Sequence, residues 1–234
     1  MRRGRLWQGL PLMLVAALVR GQSPPLTPTA VERARLCVTE GALEDSADGS
    51  LAVTLPKMRA FVRLPIADAA QAQFTYLGPS ANESPLASGQ MRRQFGLKLR
   101  ALDACNLLYV MWRIAPESRL VVQLKNNPGQ HSSAECTNHG YQTIKPRLAA
   151  PLPRLQPGES HVLRARISGE ELRVSVDDRI VWQGNLSGSA AMMSGPVGVR
   201  SDNARIRFNL SAGPGPALAA AQLPACRPGQ ETSE

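Results

Sequence analysis

The sequence predicts an all-β protein, an antiparallel β-sandwich or jelly roll held by two disulfides. Three observations predict it. Apolar and polar residues alternate with a period of two over many short runs. Pro, Gly, Asn and Asp punctuate the gaps between those runs. Four cysteines follow an N-terminal segment built like an export signal.

The leader comes first. Arg2, Arg3 and Arg5 form a positive start, and residues 10–19 are apolar apart from Pro11. That run is too short to span a bilayer, and no second run follows, so no membrane span is expected. Val19 and Gly21 suit a signal-peptidase site, which places residues 1–21 as a signal peptide cleaved near Gly21 and the mature chain in a secreted, extracellular or periplasmic, setting. Residues 22–34, with Pro24, Pro25 and Pro28, read as a flexible leader. Residues 35–211 read as the sandwich domain, and residues 212–234 as a Gly, Pro and Ala-rich tail tethered at Cys226.

Strands are expected at residues 51–55, 74–77, 94–100, 107–114, 120–124, 162–167, 172–176, 180–182 and 206–208. Helical stretches are expected only at 29–36, 66–73 and 217–221. Roughly 190 ordered residues suffice for one substantial core. The even cysteine count in an exported chain points to two bridges, and of the three pairings the expected one joins Cys37 to Cys226 and Cys105 to Cys136.

Charge narrows the partners. The chain has 27 Lys and Arg against 18 Asp and Glu; without the four leader arginines, 23 basic residues remain, a net charge of +5. That balance permits an acidic partner and does not call for nucleic acid. Strand phase sharpens the point. Leu163, Ala165 and Ile167 oppose Arg164 and Arg166; Leu172, Val174 and Val176 oppose Arg173; Ile206 and Phe208 oppose Arg205 and Arg207. These arginines form either a soluble outer face or a cationic groove, since guanidinium groups pair bidentately with carboxylate or sulfate.

Residues 161–210 contain "HVLRARISGEELRVSVDDRIVWQGNL" and then "GPVGVRSDNARIRFNL". A strand, a turn near Ser168–Gly169, a strand ending at Asp177–Asp178 and a strand bearing Trp182 resemble the closing part of concanavalin A-like domains. Asp178 stands where those domains usually have glycine. The stretch 195–208 is similar to laminin G-like and 3-keto-disaccharide hydrolase-like domains. The resemblance implies a concanavalin A-like jelly roll and a glycan partner. That superfamily spans lectins, hydrolases, lyases and adhesion modules.

Chemistry concentrates in residues 124–146, a long polar loop holding His131, Glu135, His139, Tyr141, Lys125 and Asn127. Three uses suit these residues. In carbohydrate binding, Asn, Glu and His supply directional hydrogen bonds and Tyr141 or Trp112 a stacking face. In catalysis, His131 or Tyr141 would act as base, with Glu135 as a further acid-base candidate. His131, Glu135 and His139 would ligate a metal only on a helix, which Pro128, Gly129 and Gly140 oppose, so no metal or other cofactor is expected. Pairing 107–114 with 120–124 as a hairpin puts Tyr109, Arg113, Gln123 and Lys125 on one surface beside the loop. Asn127 and His139 complete that candidate groove.

The central strands carry no facing acidic pair of the kind retaining glycosidases use. Gly-x-Ser-x-Gly, P-loop and dinucleotide motifs are also missing from the sequence. The expected function is therefore binding of an extracellular or cell-wall polysaccharide by a monomer, with a glycan-processing enzyme or an adhesion module without a sugar site as the alternatives.

Overall fold

A computed structural model describes residues 28–63, 68–213 and 226–227. The expected signal peptide, its expected cleavage point and the helix expected at 217–221 lie outside the described residues. Sixteen strands run through the described chain. They are β1 (Thr29–Ala30), β2 (Leu36–Glu40), β3 (Glu44–Asp45), β4 (Leu51–Val53), β5 (Lys57–Val62), β6 (Ala69–Pro79), β7 (Arg93–Leu99) and β8 (Leu107–Ala115), followed by β9 (Arg119–Lys125), β10 (Tyr141–Thr143), β11 (Leu148–Ala149), β12 (Ser160–Ser168), β13 (Glu171–Val176), β14 (Arg179–Asn185), β15 (Gly198–Asp202) and β16 (Ala204–Gly213). Two single helical turns, α1 (Ser133–Cys136) and α2 (Ser189–Met192), complete them.

The strands form two antiparallel sheets. A nine-stranded sheet runs β11-β14-β13-β12-β6-β16-β4-β3, with β1 also on β16. A seven-stranded sheet runs β10-β9-β8-β7-β15-β5-β2. The expected antiparallel sandwich is thus the observed fold. Aromatic rings join the sheets at the centre: Phe74 of β6 lies 4.9 Å from Phe95 of β7 and 5.7 Å from Trp112 of β8, edge-on to the latter. Such contacts add about 0.5–1.5 kcal/mol each beyond their buried area.

Two helical expectations are corrected. Residues 69–73 open β6 instead of forming a helix. Alanine favours helices, but here Ala70, Ala72 and Phe74 alternate with Gln71 and Gln73, and the alanines are buried in the core. Tertiary burial of a period-two pattern outweighs a helix propensity worth under ~1 kcal/mol per residue. Between 29 and 36 the chain makes β1, one 3-10 turn at Arg33–Arg35 and the start of β2.

Both expected disulfides are present, Cys37–Cys226 and Cys105–Cys136, with Cα atoms 5.6 and 5.9 Å apart. The turn joining β13 to β14 keeps its geometry without glycine. Asp177 and Asp178 both take left-handed φ angles, 49° and 65°. The Asp177 carboxylate compensates, accepting from Val162 N at 2.8 Å and meeting His161 Nδ1 at 2.6 Å.

Arg164, Arg173 and Arg205, phased outward on the nine-stranded sheet, have local partners. Arg173 Nη2 lies 2.6 Å from Glu171, Arg164 bonds Gln71 and Asp178, and Arg205 donates to the carbonyls of Leu77 and Pro79 at 2.7 and 3.0 Å. Exposed pairs of this kind contribute little stability, ~0–1 kcal/mol.

Candidate functional site

The face of the seven-stranded sheet turned away from the core is polar yet largely buried. Phe95, Leu97 and Leu99 of β7 point inward, so Gln94, Gly96 and Lys98 point out; Val199 of β15 points inward, so Arg200 and Asp202 point out. The register sets Arg59 of β5 directly beside Arg200, and Asp202 beside Gln94. Asp202 holds this array together. Its Oδ1 accepts from Arg59 Nη2 at 2.7 Å, and its Oδ2 accepts from Gln94 Nε2 at 2.6 Å and Arg200 Nε at 2.8 Å.

Gly96 lets Arg200 reach across the sheet. It sits between Arg200 and Met111 in the cross-strand row, and a Cβ there would lie 2.1 Å from the Val110 carbonyl oxygen and 2.9 Å from Met111 Sδ. Past this gap the Arg200 guanidinium lies 4.8 Å from the centre of the Tyr109 ring, and its Nη1 donates to the Tyr141 hydroxyl at 3.3 Å. The two tyrosine rings stack with centres 6.1 Å apart. Lys125, fully buried, places Nζ 5.2 Å from the Tyr141 ring. Cations over aromatic faces contribute about 0.5–2 kcal/mol each, more when desolvated.

A cavity of about 220 Å³ opens over this arrangement, walled by Tyr109, Tyr141, Gln123, Gln94, Arg92 and Arg200. Tyr109 is buried in its floor and Tyr141 is half-buried at its side. Among the described residues, its lining has no carboxylate and no histidine. One wall comes from the segment between β6 and β7. Asn203, buried in a left-handed turn at φ 54°, ties that segment down. Its side chain accepts from Ser84 N at 2.8 Å and donates to the carbonyls of Ser84 and Arg92 at 2.8 and 3.1 Å.

The residues expected at the site separate into two groups. Tyr109, Gln123 and Tyr141 meet in the cavity, and Lys125 supports Tyr141 from beneath. Arg113 opens into a second cavity next to it. Asn127 is structural: its backbone N–H donates to Asn106 Oδ1 at 2.9 Å, and its amide donates to the carbonyls of Cys105 and His139 at 3.2 and 3.0 Å. His139 Nδ1 pairs with Thr137 Oγ1 at 3.2 Å. His131 is mostly exposed and meets Asp103 at 2.8 Å. Among the described residues, no group of three or more His, Cys, Asp or Glu is placed to hold a metal ion.

Glu135 is a helix cap. Its Oε2 accepts from the backbone N–H groups of His131 and Ser132, both at 2.8 Å, and from the Ser132 hydroxyl at 2.9 Å. The Ser132-x-x-Glu135 spacing is the sequence signature of a capping box, so the role is written in the order of the residues themselves. The backbone donors of His131 and Ser132 hold the Glu135 carboxyl down at about 2, too acidic for a proton shuttle near neutrality. The Asp103 carboxylate raises His131 above the usual imidazole range. An NMR titration should show Glu135 ionising at about 2, against ~4.3 for a free glutamate. His131 should titrate above ~6.5, and Asp103→Asn should return it toward that value. A His131 midpoint that ignores the Asp103 change would break the assignment of that pair.

Arg200, Arg92, Gln94 and Asn203 were not legible as site residues in the sequence. Arg200 and Asn203 lie in the "GPVGVRSDNARIRF" stretch, but what places them is the pairing of β15 between β7 and β5.

No family model matches the chain, and no curated protein matches it. Solved structures do. The carbohydrate binding module CBM66 from Bacillus subtilis superposes with a TM-score of 0.52 at 14% identity, covering 79% of this chain and 96% of that one. A Bacillus subtilis protein of unknown function with a galectin-like fold gives 0.48 at 13% identity, over 76% and 88% of the two chains. The alginate lyase AlyC3 gives 0.46 at 13%, over 71% and 74%. What the likeness to CBM66 shows is the fold, a two-sheet antiparallel jelly roll.

Proposed function

We propose that the chain binds an extracellular glycan in the cavity on the outer face of the seven-stranded sheet, with a preference for an acidic one. The observation that carries this is a half-buried tyrosine braced by cations and surrounded by guanidinium and amide groups. The Tyr141 ring offers a flat apolar face to a sugar. Gln123, Gln94, Arg92 and Arg200 supply hydrogen bonds around it, and the arginines select carboxylate or sulfate substituents. A lining without carboxylate does not supply the two carboxyl groups ~5 Å apart that retaining hydrolysis needs. The name of the superposing module, a carbohydrate binding module, agrees with this reading. Two disulfides fit an oxidising, secreted setting, and no helix among the described residues is long and apolar enough to cross a membrane. Arg200 lies in the stretch 195–208, whose narrower laminin G-like and 3-keto-disaccharide hydrolase-like resemblance implies no role for it.

A glycan array on the purified protein, followed by calorimetry on the hits, tests the reading. Tyr141→Ala and Gln123→Ala should each weaken binding about tenfold or more, about 1.4 kcal/mol. Gln123→Ala should keep the fold, because partly exposed polar changes cost ~0.5 kcal/mol; Tyr141→Ala also removes the ring contacts with Tyr109 and Lys125, so its Tm is measured beside its affinity. His131→Ala, outside the cavity, should bind like the parent. Affinity for an acidic hit should fall with salt, since exposed charges are screened within ~8 Å at physiological ionic strength. Unchanged glycan affinity in Tyr141→Ala would remove the cavity from the reading.

A further inference from the structure

A second cavity of about 300 Å³ adjoins the first and shares Gln90 and Arg92 with it. Its walls include Arg113 at the end of β8, Arg119 at the start of β9 and Arg92, together with Met91, Pro116 and Glu117. The hairpin register puts Arg113 directly opposite Arg119. Like charges facing each other across a strand pair are unfavourable unless something lies between them. Among the described residues, the only carboxylate in the lining is that of Glu117, which is largely exposed and lies 3.6 Å from the half-exposed Arg119. Arg113 is half-buried, and its Nε is shielded from solvent without a hydrogen-bond partner among the described residues. Burial first, then the positive fields of Arg92 and Arg119, lower its guanidinium to about 10. Three guanidiniums that repel one another around an open cavity make a site short of one anion. Arg164, Arg173 and Arg205 of the opposite sheet, by contrast, each reach an acceptor.

We propose that this cavity is an anion subsite, in which Arg92, Arg113 and Arg119 together take a sulfate-ester or carboxylate group carried on a sugar adjoining the one stacked on Tyr141. The anion site stands on its own geometry; its use for a glycan rests on the function proposed above. The two cavities, meeting at Arg92, define the ligand class as a polyanionic polysaccharide with charges on neighbouring sugars. Arg92 serves both subsites, Arg113 and Arg119 only the second.

The test uses the full mature protein and inorganic sulfate as the probe, titrated by calorimetry at ionic strength held constant with sodium chloride. The parent should bind sulfate saturably. Arg113→Gln and Arg119→Gln should each weaken that binding about tenfold or more. Tyr141→Ala should leave it unchanged. Arg119 is half-exposed, so Arg119→Gln remains informative if Arg113→Gln fails to fold. A sulfated and a uronate oligosaccharide of equal length then distinguish the two sources of charge, and each should lose affinity in the arginine variants where the anion comes from it. If sulfate binds equally to the parent, Arg113→Gln and Arg119→Gln, the subsite is overturned, even where a glycan still binds through Tyr141. If sulfate binding follows Arg113 and Arg119 while no glycan binds, the anion subsite holds and the glycan reading falls.

Discussion

Asp202→Ala is expected to cost about 3–5 kcal/mol of folding stability, the usual penalty for removing one member of a buried charge pair. Asp202 and Arg59 are fully buried and Arg200 nearly so. The carboxylate lies between two guanidiniums that are direct cross-strand neighbours, and it bonds both. Removing it leaves the two cations facing each other in a medium that screens poorly. Urea denaturation of parent and variant measures the difference, and a loss below about 1 kcal/mol would contradict the proposed role of Asp202. The same residue sets an acid limit. Burial alone would push the Asp202 carboxyl up, but Arg200, Arg59 and the Gln94 amide outweigh it and hold the group well below the usual carboxylate range. A folded-state value depressed below the unfolded one stabilises the fold fully above ~4, where a free aspartate is ionised. That contribution is lost as pH falls through the more acidic range toward the folded-state value. Stability should therefore decline below about pH 4, and the decline should be shallower in Asp202→Ala.

Replacing Cys37 and Cys226 with alanine is the second change with a large expected cost. Their bridge spans 189 residues of sequence, against 31 for Cys105–Cys136. The chain-entropy estimate gives ~5 kcal/mol for the long loop and ~4 kcal/mol for the short one, taking loop closure in the unfolded chain as the source. At ~2–4 °C per kcal/mol for a chain of this size, the long bridge corresponds to a Tm lower by ~10–20 °C. Calorimetric melting of the two double variants ranks the bridges. A larger loss for Cys105–Cys136 would show that ordering the 124–146 loop, which that bridge pins, matters more than tying the chain ends. Peptide mapping without reductant checks the pairing directly.

Much of the fold was legible because strand phase is a local property. Tyr109 and Met111 on one face of β8, with Leu108, Val110 and Trp112 on the other, follow from alternation alone, and the structure keeps that division. β5 is hidden in the sequence for a physical reason. Its Met58, Ala60 and Val62 are core residues, but Arg59 between them is a fully buried charge, which reads as an exposed position unless its partner is known. That partner, Asp202, lies 143 residues away. The site divides the same way. Tyr109, Gln123 and Lys125 come from one hairpin, so register and phase bring them together on paper. Arg200 reaches them only through the β7–β15–β5 order, which no local pattern encodes. His131 and Glu135 show what local spacing adds to polarity. Their polarity suggests chemistry, while the Ser132-x-x-Glu135 spacing points to a local backbone role.

A β-sheet is a template wherever its outermost strand leaves backbone donors and acceptors unpaired, and long flat borders recruit further chains. Here the borders are kept brief. β3 and β11 at the ends of the larger sheet, and β1 beside β16, have two residues each; β10 has three. β2, at one end of the smaller sheet, has five residues, and its register slips between Val38 and Glu40, where a bulge turns the ladder aside. Short ends of this kind are expected to limit the addition of a second copy through strand length, an effect that salt, unlike repulsion between positive surfaces, does not screen.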